Sequence, residues 1–362
     1  MLKVLTIVNW PICRVKKFED AIRNPDQLIS GQRYWFSKYW PSNVIVDVVG
    51  IQQGIFFDTF WKFSRIHLQS LKTFSRIKEY DLILTYDSSC AFLFALLRSK
   101  LGFCRSIPHV MVDVGMPRAV EPFFKNVPPS LVCEILRQVF NPKSVSCIIF
   151  HSMCQQAFYR DILGFSDDAL SYVPFGVETE YFKPESLETE DYIYASGEFR
   201  DFNTILRVYE KRHKDLPELR IRSALPSPDH LPPKVKWLPR ASISTFRIDV
   251  LKSRFVIVPL PYTIRSTGLM TCLQSMALGK AILTSRVPPI YGYVTNRKTA
   301  IYYEPYDEND LYRKISLLLE NDKLVKELGE NARMEVEAKF TVQNYGIQLW
   351  NCVSSALQIN HN

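Results

Sequence analysis

The chain has 362 residues, 47% of them apolar and 13% aromatic, with a formal charge of +8. That is enough for two domains with sizeable cores, and no apolar run reaches the roughly 18 residues of a membrane-spanning helix. Residues 1–150 hold 19 Lys and Arg against 11 Asp and Glu, while the remainder balances at 26 against 26. The whole excess therefore sits in the N-terminal part, where it favours an anionic partner.

The opening "KVLTIVNW" reads as a buried first strand, because the basic cluster of Arg14, Lys16 and Lys17 follows the apolar run, the wrong end for a signal peptide. Eight cysteines without a CxxC or Cys/His cluster indicate neither a zinc site nor a disulfide framework. A cytoplasmic protein with reduced thiols is expected. "VIVDVVG", "DLILTY", "HVMVDVG" and "SCIIFHS" continue a strand rhythm broken by helical patterns, the signature of βαβ units and a parallel sheet. "GIFFDTFWKFSRIHLQSLKTFSRIKEY" interleaves aromatic and basic residues and suits either a core-facing stripe or a helix lying on an anionic bilayer. "AVEPFFKNVPPSLVCEIL" is a Pro-broken apolar piece that suits covering a groove or touching lipid.

"LSYVPFGVETEYFKPES", rich in turn formers around Pro174-Phe175-Gly176, reads as a linker. A second strand series follows: "DYIYASG", "LRIRSAL", "KVKWLP", "FVIVPLP", "AILTSR" and "AIYYEP". A helical pair then closes this half, and "TVQNYGIQLWNCVSSAL" forms a last amphipathic helix capped by Thr341. The expected architecture is α/β, with two doubly wound Rossmann-like domains facing a cleft, over 1–174 and 175–340. The helix over 341–362 packs back on the first domain.

Ligands of open α/β sheets lie beyond the carboxyl ends of the strands. Two turns of the second half are suited to phosphate. In "ASGEFRDF", Gly197 turns the chain and Arg200 stands at a helix start; in "YTIRSTGLMT", Arg265, Ser266, Thr267 and Gly268 lead into another helix. Gln274, further along that helix, can bond hydroxyls without ionising. Two such turns with an arginine each make a diphosphate clamp. In the first half, Asp87 and Asp113 end strands, with an N-cap the alternative role for Asp87. His109 lies within a strand and reads as a core histidine. Trp10 can stack on a ring and Arg14 can face a phosphate, with a plain surface loop the alternative reading of both.

"YVPFGVETEYFKP", "LQSMALGKAILTS" and "AIYYEPYDENDLYRKISLLLEND" together resemble the GT-B retaining glycosyltransferases of family four. The resemblance implies a nucleotide-sugar donor on the C-terminal domain and a glycan or lipid-linked acceptor on the N-terminal domain. It also implies retention of anomeric configuration, with neither metal nor cofactor. The family's two glutamates fall at Ser266 and Gln274, so both are replaced, and Arg200 matches one of its basic pair. Asp113 stands near the family's sugar-facing histidine and is the expected catalytic contact. Peripheral contact with an anionic membrane at its inner face is expected, and nucleic acid is not. The competing reading is a catalytically decayed relative that binds a nucleotide or a partner protein; a sugar-nucleotide epimerase would need more acids and histidines.

Overall fold

The computed structural model describes residues 1–11, 14–15, 28–29, 36–51, 73–117 and 128–359. In chain order the first half contains β1 (Leu2–Pro11), the short pair β2 (Arg14–Val15) and β3 (Leu28–Ile29), and β4 (Val44–Ile51). It continues with β5 (Leu82–Tyr86), α1 (Ser88–Leu101), β6 (His109–Asp113), α2 (Pro129–Val139), β7 (Cys147–Phe150) and β8 (Leu170–Tyr172). The second half runs β9 (Tyr192–Ser196), α3 (Phe202–Arg212), β10 (Glu218–Ser223), β11 (Val235–Pro239), α4 (Ile243–Lys252) and β12 (Val256–Val258). It ends with α5 (Leu269–Ala277), β13 (Ile282–Ser285), β14 (Ile301–Tyr303), α6 (Glu308–Leu319), α7 (Asp322–Lys339) and α8 (Val342–Ile359).

Two six-stranded sheets result, ordered β4-β1-β5-β6-β7-β8 and β11-β10-β9-β12-β13-β14. Every registered pair in them is parallel. Parallel strands covered on both faces must be apolar along their whole length, and β5, β6 and β9 are buried at every position. Strand order reverses between β1 and β5 in one sheet and between β9 and β12 in the other, so each sheet has a switch point.

β8 departs from the sequence reading. Leu170–Tyr172 pair with Ile148–Phe150 as the edge strand of the first sheet, so the connection starts only at Val173. A three-residue strand embedded in turn formers has too little periodicity to stand out. Of the aromatic-basic stretch, residues 54–72 lie outside the described residues, as do 119–127 of the Pro-broken piece.

The chain crosses between the sheets twice at one place. Val177 N–H donates to Phe340 O at 2.8 Å, and Val342 N–H donates to Val177 O at 3.2 Å. A Cβ on Gly176 would stand 2.5 Å from Thr341 O, so only glycine allows this contact. Thr341 Oγ1 accepts from Asn344 N–H at 3.1 Å and caps α8. That helix packs Tyr345, Leu349, Val353 and Ala356 into the core of the first sheet. Trp40 Nε1 donates to Gly346 O at 2.9 Å, and the Tyr86 and Tyr345 hydroxyls meet at 2.8 Å.

Candidate functional site

A cleft of about 640 Å³ opens at the switch point of the second sheet. Its walls come from the turns after β9, β10, β11 and β12, with Val114 and Phe175 added from the first sheet and the connection. Glu198 is the one carboxylate among the described lining residues and pairs with Arg240 at 3.5 Å; Arg200 and Arg222 also line the space. The site is therefore cationic.

The two phosphate-suited turns meet here. Gly197 has φ +119°, and a Cβ on it would lie 2.5 Å from Arg200 Nη2 and 2.6 Å from its Cζ. The Arg200 guanidinium thus occupies the space a side chain at 197 would take. It donates to Thr267 Oγ1 at 3.4 Å and Thr271 Oγ1 at 3.1 Å, bridging one turn to the other. Its Nε is buried without a partner. Burial lowers its pKa to about 10, which leaves it cationic at neutral pH.

Gly268, at φ +78°, begins α5 without a capping side chain, and the first helical bond runs from Cys272 N–H to Gly268 O. The amides of Leu269, Met270 and Thr271 precede it, at the positive end of the helix dipole, and these residues line the cleft. Gln274 lines the same wall. Arg265 lies just behind, its Cζ 4.2 Å from the ring centre of Phe199, itself a lining residue. Ser266 lines the cleft but spends its hydroxyl on Gln155. The stretch 235–242 contributes Arg240, Ala241 and Ser242.

The first sheet supplies less than the sequence suggested. Asp113 is 0% exposed, accepting from Tyr159 Oη at 2.6 Å and Met116 N–H at 2.9 Å. Successive residues at a strand end point to opposite sides, and Val114, its neighbour, faces the cleft. A catalytic contact by Asp113 does not fit this geometry. Desolvation, reinforced by the charge of Asp87, raises its pKa to about 6. Asp87 caps α1, accepting from Ser89 N–H at 2.9 Å and Ser89 Oγ at 2.6 Å. It sits at the switch point of the first sheet and is not among the residues lining the cleft. Trp10 lies in β1 and Arg14 in β2, but their side chains lie outside the described residues.

His109 is a core residue: its Nε2 meets Thr85 Oγ1 at 2.9 Å and its Nδ1 meets Ser144 O at 3.0 Å. Since a carbonyl only accepts, Nδ1 carries the proton and Nε2 accepts from the threonine. Burial lowers its pKa to about 3. Among the described residues no three His, Cys, Asp or Glu side chains gather where they could share a metal ion, and no helix is long and apolar enough to cross a membrane. Sequence reasoning missed Val114, Phe175, Tyr194 and Gln155. Only the turn-rich motif around Phe175 carried any signal.

Residues 230–335 match the family of glycosyl transferases group 1. In sequence the chain is similar to an uncharacterised glycosyltransferase of Methanocaldococcus jannaschii, 26% identical over 262 residues, which covers 68% of this chain and 67% of that protein. In fold it is similar to sucrose-phosphate synthase from Thermosynechococcus elongatus, with a TM-score of 0.74 at 15% identity over 99% of this chain and 100% of that one. It is also similar to HepE from Anabaena, solved with UDP-glucose, with a TM-score of 0.68 at 12% identity over 98% and 100% of the two chains.

Proposed function

We propose that this chain, a GT-B protein of the glycosyl transferases group 1 family, moves a sugar from a nucleoside diphosphate donor to a glycan or lipid-linked acceptor, with retention and without metal or cofactor. The observation that carries the reading is Arg200, seated on Gly197, braced by two threonines and left with a buried unpartnered Nε beside the first amides of α5. A cation and a helix N-terminus converging on one space suit a diphosphate. Gln274 offers its amide to the ribose hydroxyls, and the turn at 240–242 flanks the base. The HepE structure, with its UDP-glucose, supports a donor of this class.

The chemistry follows from what the cleft holds. Among the described lining residues the one carboxylate, Glu198, is paired with Arg240, and the first sheet contributes Val114. In this reading the departing diphosphate itself takes the proton. The acceptor hydroxyl oxygen attacks the anomeric carbon from the face the phosphate is leaving. As the sugar–phosphate bond breaks, its electron pair passes to the diphosphate, which receives the hydroxyl proton. Arg200 and the α5 amides hold the charge that develops on the phosphate. The acceptor lies toward the carboxyl end of β1 and β5, in the basic half, where contact with an anionic membrane face also falls.

The test is a thermal-shift panel of UDP, GDP, ADP and their common sugar derivatives on wild type and Arg200→Ala. One nucleotide stabilises the wild type by mass action and stabilises the variant much less. Stabilisation by none of them overturns the proposal in favour of a decayed, partner-binding role.

A further inference from the structure

Beneath the donor cleft, a line of hydrogen bonds runs from one sheet to the other. Ser266 Oγ donates to Gln155 Oε1. The same oxygen accepts from Ser152 N–H at 3.1 Å, and Gln155 Nε2 donates to Tyr159 Oη at 3.5 Å. Tyr159 donates in turn to Asp113 Oδ2 at 2.6 Å. Ser152, Gln155, Tyr159 and Asp113 are all 0% exposed, and Ser266 is 7% exposed. Every proton points toward the carboxylate, so each bond polarises the next and the line acts as a unit.

The turn that carries Gln155 grips the second sheet at two further points. Ser152 Oγ donates to Pro289 O at 3.1 Å, and Cys154 Sγ donates to Ile264 O at 3.5 Å. Ile264 and Ser266 lie just before Gly268, which starts α5 with no capping side chain of its own. Something other than a cap must therefore fix where the first amides of α5 project.

We infer that Gln155 is a positioning residue of the nucleotide site, holding Ser266, and with it the start of α5, in fixed register with the first sheet. The inference rests on the donor reading above. It also accounts for the serine. Because Ser152 N–H donates to Gln155 Oε1, that atom is the carbonyl oxygen, and position 266 must supply a donor. A glutamate there would bring a second acceptor and a second negative charge toward Asp113. Ser266 is thus the residue type this buried line requires.

The test is calorimetric titration of the nucleoside diphosphate preferred by the wild type into Gln155→Leu, Ser266→Ala, their double variant and Ser266→Thr. Misplacing the first α5 amides loses a charge-assisted hydrogen bond to the diphosphate and predicts roughly a 10- to 100-fold loss of affinity in each of the first two. The double variant is no weaker than the worse single, because both remove one coupled interaction. Ser266→Thr keeps the hydroxyl and binds as the wild type does. Single losses that multiply in the double variant, or a Gln155→Leu protein with wild-type affinity, overturn the inference and leave the donor reading standing. A wild type that binds no nucleotide refutes the donor reading and Gln155's role together. Ser266→Ala removes a single oxygen, so its affinity decides the matter even if Gln155→Leu does not fold.

Discussion

Replacing Gly197 by alanine separates the seat of Arg200 from its charge. The new Cβ would lie 2.5 Å from Arg200 Nη2 and 2.6 Å from Cζ, closer than real contacts allow, so the guanidinium must leave the space it shares with Thr267 and Thr271. A charge-assisted hydrogen bond contributes about 1.5–3 kcal/mol, so losing one to the diphosphate weakens nucleotide binding roughly 10- to 100-fold. The backbone adds its own penalty: φ +119° at 197 suits glycine, and alanine there costs on the order of 1–3 kcal/mol of stability. The two effects are measured apart, affinity by titration calorimetry and stability by unfolding without ligand. In a Gly197→Ala background, a further Arg200→Ala change should cost almost nothing, because the arginine is already out of place. If Gly197→Ala binds nucleotide as the wild type does while Arg200→Ala alone is impaired, the reasoning about this seat is wrong.

Acidification should expose opposing groups. His109 and His151 are held below the ordinary histidine value by burial, at about 3 and about 4, so the stability they give is present above about pH 6.5 and lost as pH falls through that window. Asp113, raised to about 6, does the reverse: its share is present below about pH 4 and lost as pH rises toward 6. Asp113→Asn removes that offset, by up to about 3 kcal/mol, and steepens the acid loss seen in urea unfolding between pH 7 and 4; parallel curves for the two proteins would sink the assignment. Gly346→Ala gains about 1 kcal/mol of helix propensity but sets a Cβ 2.5 Å from Phe36 O; overpacking wins, and unfolding should show net destabilisation of up to about 2 kcal/mol. A variant as stable as the wild type would contradict this. Gln274→Ala removes one neutral hydrogen bond and should weaken nucleotide binding about 2- to 12-fold in the same titration. Transfer assayed with a chelator present should proceed at the untreated rate, and a loss restored by magnesium would refute metal independence.

Much of the architecture could be read from the sequence because buried parallel strands leave unbroken apolar runs. "DLILTY" and "DYIYASG" each place a strand within a residue of β5 and β9. Glycine and proline marked the phosphate-suited turns for the same local reason. What escaped depended on three dimensions. Gln155 and Ser266 stand 111 residues apart and meet only because two sheets face each other. Asp113 reads as the sugar contact for its chemistry, but strand alternation turns the acid into the protein and its neighbour Val114 into the cleft.

The return of α8 to the first sheet sets an order of assembly. The core around Val4, Val46 and Leu84 is finished by Tyr345, Leu349 and Val353, which are synthesised only after the whole second sheet. Residues from Val177 to Phe340 are contiguous and hold the second sheet with α3 to α7. The half synthesised first is therefore the half completed last, the reverse of the usual N-terminal-first sequence. Until α8 docks, its apolar face remains open to solvent and to other nascent chains.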